Sequence, residues 1–411
     1  MTPSQSNWLI FIWTFLLLNL RPSVIAQSYN PVVFMLFIIT SVFVVFWNQR
    51  KITMAFSKKE LLLAVMLFLT VLYFFVQGIY LSNATKTVIN SSIVLLGGLP
   101  CLFFVLREFD NRNLVVKSLI NIHVWLSLSQ IVTFLIFIFS GFKLSDSLVF
   151  LDLHEIVKYY NGEHELVFPY TITWSSIVFM GIEFYRTCGI YREPGMAQIF
   201  YLTAFYLTFF YSGQRIGIKR GIILIGSILL FSGSGFINIL LGYLVYLITN
   251  RNNTTGISVN RLVKGLVIVF TGVVFLFFTY DVLMVKISRE SGVERLANIE
   301  KSILKLADNP FFGEGTYNSF KTDVAGKVVS EQFFSFFGVV NQIGLIGIFL
   351  YMSSWFIGIR YFANVKTWCL YVPCFVTLIS SQPSYNDMFT FFMIILNTAN
   401  FYPASELRKQ C

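Results

Sequence analysis

Long apolar runs separated by short polar segments make up most of this chain, and two longer polar stretches, Lys143 to Gly195 and Asp281 to about Gln332, interrupt them. A helix of about 20 apolar residues crosses roughly 30 Å of hydrocarbon, so run length converts into candidate membrane spans. On that scale the pattern predicts an all-α polytopic membrane protein with about 12 transmembrane helices. The expected spans are Trp8 to Leu20, Pro31 to Trp47, Leu61 to Leu81, Val88 to Val105, Leu119 to Phe142, Met196 to Tyr211, Gly221 to Phe231, Phe236 to Thr249, Leu262 to Tyr280, Phe333 to Ile357, Trp368 to Ile379 and Met388 to Phe401. Residues 1 to 411 read as a single integral membrane domain, with 143 to 195 and 281 to 332 as its first and second large extracytoplasmic loops. The N-terminal segment lacks a basic start and a small-residue cleavage site, so it is expected to stay as a first helix.

Composition agrees with this pattern, and charge adds a direction. At 56% hydrophobic and 12% charged, with a mean hydropathy of +0.71, the chain lies outside the soluble globular range. The formal net charge is +10. With the N-terminus inside, the cationic groups around Arg50, Arg107, Arg215, Arg251, Arg360 and Arg408 fall on the cytoplasmic side, and the short outside loops hold only Arg21 and Lys86. Cationic residues are retained on the cytoplasmic side of short loops, so the excess is an orientation signal and gives no reason to expect nucleic acid. Both termini are then cytoplasmic, and both polar stretches lie outside. Of the five cysteines, Cys101, Cys369 and Cys374 sit in apolar spans, Cys411 ends the sequence and Cys188 stands alone in the first stretch. No intrachain disulfide is expected from that spacing.

The chemistry concentrates in the two polar stretches. The first ends on Glu183-Phe-Tyr-Arg186-Thr-Cys-Gly-Ile-Tyr191-Arg192-Glu193-Pro194-Gly195-Met196, where the sixth expected span begins. Pro194 suits a first helical turn, and Gly195 allows close approach, so Arg192 and Glu193 are expected at a helix mouth. Free N–H groups and the positive end of the helix dipole make such a mouth, together with a guanidinium, a site for an anion. The competing reading has Arg192 reaching to lipid phosphate. In the second stretch Val293, Leu296, Ile299, Ile303 and Leu306 form one apolar stripe at helical spacing, next to Arg289 and Arg295. That describes an amphipathic helix lying along the interface, and a structural strut with solvated charges fits the same pattern. Asp308-Asn309-Pro310 through Tyr317-Asn318 is a Pro and Gly turn that stops it. His154-Glu155 and Glu163-His164 fall short of a zinc motif, since the residue four after His154 is Lys158. No metal and no cofactor are expected.

Arg295, then a helix, then Asn309-Pro310-Phe311-Phe312-Gly313-Glu314-Gly315, then Gly344-Leu345-Ile346-Gly347 resembles the shared pattern of bacterial O-antigen polymerases and O-antigen ligases. Tyr191-Arg192-Glu193-Pro194-Gly195 looks like the helix-mouth motif of Wzy-type polymerases, and Ser232-Gly233-Ser234-Gly235 resembles their central hairpin. The likeness spans roughly Arg186 to Gly347. It implies a GT-C-like glycosyltransferase of the inner membrane that needs neither nucleotide sugar nor metal. Its donor and acceptor would both be undecaprenyl-diphosphate-linked oligosaccharides, with membrane lipids, a chain-length regulator and a flippase of the same pathway as partners. The chain departs from the ligase pattern in one place. Ligases of this group, and some of its polymerases, carry a His shortly before the Gly-x-x-Gly pair, where this sequence has Phe333, so a mechanism based on that His does not carry over.

On that reading the transition state needs charge neutralised at the leaving diphosphate, which an always-protonated planar guanidinium does well. Arg192 and Arg295 are the expected clamps, with Arg186 and Arg289 behind them. Glu193 and Glu331 are the candidates for the base on the acceptor hydroxyl, Glu193 being equally suited to orient Arg192. Tyr191 and Tyr317 would stack on sugars, as would Tyr159 and Tyr160, and Asn318 would bind hydroxyls. For the tyrosines, anchoring at the interface is an equal alternative. The rival functions are an O-antigen ligase and, from another class, a lipid-linked oligosaccharide flippase or transporter. Transporters place ionisable groups within spans and show related halves, whereas this chain keeps its charges in the inserts.

Overall fold

The computed structural model describes residues 3–20, 24–47, 57–81, 85–140, 149–152, 165–167, 169–179, 182–191, 193–211, 215–249, 304, 306–315, 320–322, 328–330, 336–362, 365–373 and 388–396. The chain is mostly helical. Helices α1 (Pro3–Asn19), α2 (Val24–Trp47), α3 (Lys58–Leu81), α4 (Thr85–Arg107) and α5 (Phe109–Phe139) lead into the first insert. After it come α6 (Pro194–Leu207), α7 (Ile216–Leu229) and α8 (Gly233–Thr249). Beyond the second insert lie α9 (Phe336–Phe362), a 3-10 turn (Val365–Leu370) and α10 (Met388–Leu396). Among the described residues, four helical segments are long and apolar enough to cross a membrane: Lys58–Leu81, Val88–Arg107, Asp110–Phe139 and Gly338–Ile359.

Several expected spans are shorter or shifted. Helix α6 occupies 14 residues and α7 another 14, less than a bilayer crossing requires. Helix α5 starts at Phe109, ahead of Leu119, because its polar first turn is tucked inward, where Arg112 is buried and its Nη1 lies 3.4 Å from the Leu106 carbonyl. The expected span Leu262 to Tyr280 lies outside the described residues, as do the later parts of Trp368 to Ile379 and Met388 to Phe401. The inserts are not irregular loops alone, which corrects the all-α expectation. The first holds a four-stranded antiparallel sheet, β1 (Val149–Asp152), β2 (Glu165–Val167), β3 (Thr171–Phe179) and β4 (Ile182–Thr187), paired in chain order. The second holds β5 (Phe320–Thr322) against β6 (Val328–Ser330). Thr, Ile, Val and aromatic residues in β3 and β4 favour the extended state, and pairing between strands selects it.

Contacts along α5, α6 and α7 set their directions. Lys219 Nζ donates to Asn121 Oδ1 at 2.7 Å, Gly226 faces Ser127, and the Phe134 and Phe231 rings lie 6.2 Å apart, so α5 and α7 run parallel. Arg220 donates to the Thr208 hydroxyl and carbonyl, and Ser232 donates to Gln198 Oε1, so α6 runs against them. The Ser232-Gly233-Ser234-Gly235 turn therefore lies beside the first turns of α6. A Cβ added at Gly235 would stand 2.8 Å from Gln198 Oε1, which accounts for a glycine at that approach.

Helix α9 is broken at Gly344 (φ 67°, ψ 178°), and the break is filled by the turn from the second insert. Glu314 N donates to the Asn341 carbonyl at 2.8 Å and Gly315 N to that of Gln342 at 3.1 Å. On the other side Leu345 N and Ile346 N donate to the carbonyls of Pro310 and Phe311. Helix α3 supplies the rest. Tyr73 donates to the Ile343 carbonyl at 2.8 Å, and Gln77 Nε2 serves both the Phe312 and Gln342 carbonyls. Peptide groups freed inside an apolar bundle cost several kcal/mol each unless they are paired. Here the two sequence motifs Asn309 to Gly315 and Gly344 to Gly347 pair each other.

Gly344 occupies a backbone region open essentially to glycine, worth of order 1–3 kcal/mol to any other residue, and an added Cβ there would collide with the Phe311 and Phe312 backbone. Gly344→Ala is therefore expected to lower the melting temperature of the detergent-purified chain sharply. Gly221→Ala, on an exposed helical position with nothing within 4 Å of the new methyl, should leave it unchanged or raise it by the roughly 0.5–1 kcal/mol of helix propensity.

Candidate functional site

The end of the first insert descends among the helices. At the base of the β3–β4 hairpin Thr173 pairs with Thr187 and Trp174 with Arg186. Below that, Ile172 N donates to the Gly189 carbonyl (2.8 Å), Cys188 N to that of Ile172 (2.9 Å) and Gly189 N to Thr171 Oγ1 (3.1 Å). Gly189 has φ +64°, and a side chain there would press on the Tyr201 hydroxyl. Thr171, Thr173, Thr187, Cys188 and Tyr191 are all buried. Irregular backbone at this depth needs protein partners, and α5 provides them. Ser129 Oγ accepts from Tyr170 N, and Gln130 Nε2 donates to both the carbonyl and the hydroxyl of Thr187. One further polar contact comes from the same helix, where His123 Nε2 lies 2.9 Å from the Tyr191 hydroxyl.

Glu193 caps α6 from an extended conformation (φ −145°, ψ 147°), its carbonyl accepting from Met196 N and Ala197 N, with Pro194 in the first turn. This is the helix mouth the sequence predicts. Arg186, one strand residue away from the hairpin base, shares its electrostatic neighbourhood. Burial disfavours the Arg186 charge and lowers its pKa, and the nearby Cys188 and Glu193 offset part of that. The Cys188 thiol is pushed up, first by burial and then by Glu193, with Arg186 acting the other way. Arg186 thus lies within electrostatic reach of Glu193, which starts α6. A cation within reach of a helix N-terminus adds to the positive end of the helix dipole, a combination that suits an anion.

Other expected residues fall elsewhere. Tyr191 is fully enclosed, its ring stacked 4.3 Å from Phe200, so in this structure it packs the bundle and presents no free face to a sugar. Arg192, Arg289, Arg295, Tyr317, Asn318 and Glu331 lie outside the described residues, as do Tyr159 and Tyr160. Glu314, from the turn that fills the break in α9, accepts from Asn341 Nδ2 at 3.1 Å. Among the described residues no cluster of three His, Cys, Asp or Glu side chains is arranged to hold a metal, and Cys101, Cys188 and Cys369 form no disulfide.

Reading by sequence placed His123 inside a span without a role and passed over Ser127 and Gln130; the three recur at four- and three-residue steps along α5 and form one polar stripe facing the hairpin and α7. Polar groups at helical spacing inside an apolar run were the available signal. Fold and site together define a helical membrane protein in which non-helical backbone from two inserts is packed against the bundle. No protein-family profile, curated protein or solved structure matches the chain.

Because the thiolate is the reactive form and burial holds Cys188 as a thiol, iodoacetamide at neutral pH is expected to leave Cys188 unmodified in the folded chain. Site-resolved mass spectrometry should find it alkylated only after denaturation. Rapid labelling of the native protein would contradict the packing described for the hairpin base.

Proposed function

We propose that this chain is an inner-membrane glycosyltransferase that polymerises polyprenyl-diphosphate-linked oligosaccharide repeat units into O-antigen or a related surface polysaccharide. The observation that carries the reading is the mouth of α6, where the extended Glu193 and Pro194 start the helix beside the Ser232 to Gly235 turn, with Arg186 in electrostatic reach of Glu193. The helix-mouth and central-hairpin motifs of the resemblance thereby meet in one neighbourhood. Mutual pairing of Asn309–Gly315 with the Gly344 break supplies a physical reason for the other two to occur together.

In the reaction the bond between the anomeric carbon and the diphosphate oxygen breaks, and the acceptor hydroxyl oxygen forms the new glycosidic bond. The hydroxyl proton passes to a carboxylate, Glu193 or Glu331, and the polyprenyl diphosphate leaves with the bonding electron pair. Arg192 and Arg295 neutralise the charge growing on that leaving group, with Arg186 and Arg289 extending the positive field. On this reading the fold is GT-C-like with about 12 spans, the two inserts face away from the cytoplasm, and both termini face it.

A transporter reading would draw on the broken helix α9, since discontinuous helices bind substrates at their exposed ends. The backbone groups at this break are engaged by the Pro310–Gly315 turn, Tyr73 and Gln77, which leaves the polymerase reading the better supported.

Deletion of the gene and electrophoresis of the surface polysaccharide decide among the alternatives. A single capped repeat is the expected result. Loss of all capping would mean a ligase, and inward-facing lipid-linked units would mean a flippase. Arg192→Ala and Arg295→Ala should each abolish polymer at normal protein levels, since one pre-organised donor is worth roughly 3–4 kcal/mol in the transition state. Lysine at either position should restore little, because a point charge lacks the planar fork. Full polymer in an alanine variant would remove that arginine from the site.

A further inference from the structure

His123 lies at the middle of α5 with no exposed surface. Its Nδ1 is 2.8 Å from the carbonyl of Leu119, one turn back. A carbonyl only accepts, so in the neutral ring Nδ1 carries the hydrogen and Nε2 offers its lone pair. The Tyr191 hydroxyl, 2.9 Å away, then donates to Nε2. Tyr191 is held on its other sides by α6, stacked 4.3 Å from Phe200 and edge-on to Tyr201, whose ring also meets the imidazole edge-on at 5.1 Å. Leucine at 123 and phenylalanine at 191 would fill this apolar space without burying any polar atom. What the His and Tyr pair adds over them is direction, because a hydrogen bond between fixed partners has one geometry.

We propose that His123 is a positioning residue, which through the Tyr191 hydroxyl locks the turn from Cys188 to Tyr191 against α5. Arg192 and Glu193 follow Tyr191 directly, and successive Cα atoms are only about 3.8 Å apart. Any movement of the Tyr191 anchor therefore reaches both residues and the Arg186 neighbourhood. The lock stands on geometry alone. Its consequence for chemistry rests on the polymerase reading, where a misplacement of about 1 Å costs on the order of a hundredfold in rate.

The test compares native full-length chain with His123→Leu, Tyr191→Phe, the double variant and His123→Gln, whose Oε1 can accept the phenol hydrogen where Nε2 did. Amide hydrogen exchange is followed by mass spectrometry on the purified chain, and surface polymer is followed in cells. In each single variant the peptide covering Cys188 to Tyr191 should exchange about tenfold faster, the range expected for one lost hydrogen bond. The double variant should add nothing to this, His123→Gln should return close to native exchange, and peptides from α3 and α9 should not change. Polymer should fall by at least about tenfold in both singles and recover with glutamine.

Unchanged exchange in His123→Leu, additive effects in the double variant, or loosening that spreads to α3 and α9 would each overturn the lock. Full polymer alongside local loosening would overturn its role in the reaction. If the native gene restores no polymer to a deletion strain, the polymerase reading fails, and the exchange pattern still decides the lock.

Discussion

Backbone that leaves the helix inside an apolar bundle must find hydrogen-bond partners within the protein, and most of what is distinctive in this chain follows from that constraint. At Gly344 the helix stops and restarts, which would strand carbonyls on one side and N–H groups on the other. The turn from Pro310 to Gly315 meets both sets, while Tyr73 and Gln77 reach across from α3 to take up the remainder. Three separate parts of the sequence are thereby tied at one point. The second insert is anchored to two helices before β5 begins.

The same requirement shapes the first insert. Its hairpin base carries peptide groups that α5 satisfies with Ser129 and Gln130, and its last aromatic residue is taken up by His123. Packing alone would hold such a segment loosely, because apolar contact is non-directional. The polar stripe on α5 gives it a defined register, and Pro194 and the extended Glu193 then start α6 from a fixed point. Arg186, at the base of the same hairpin, lies within electrostatic reach of Glu193. The proposed transfer from a diphosphate needs guanidinium groups that are pre-organised, since reorganisation during the reaction would cancel much of their electrostatic benefit.

Features that depend on local composition were readable in advance. The apolar run Leu61 to Leu81 became α3 within a few residues, and Pro194 marked the start of α6 as a proline at a first turn should. The Asn309 to Gly315 segment was legible as a turn that ends a helix, and it is one. The strands of the two inserts were not legible, because each is stabilised only by its partner strand and reads as ordinary polar loop when taken alone. Nor was the break in α9, since Gly344-Leu-Ile-Gly347 also suits an unbroken helix with small residues at an interface. Tyr191 was misplaced for a related reason. Beside arginine and glutamate it resembles a ligand-facing residue, and only the positions of His123 and Phe200 show it turned inward.

The sequence by itself determined that this is a mostly helical membrane protein, roughly where its apolar helices lie, and which turn residues punctuate them. Those properties arise from hydrophobic burial and backbone preference, which act over a few neighbouring residues. Tertiary structure decided which buried polar groups meet: Gln77 with the break in α9, Gln130 with Thr187, and His123 with Tyr191. A hydrogen bond or ion pair is short-ranged and directional, so its partners can be known only when segments distant in the chain have been brought to within about 3 Å of each other.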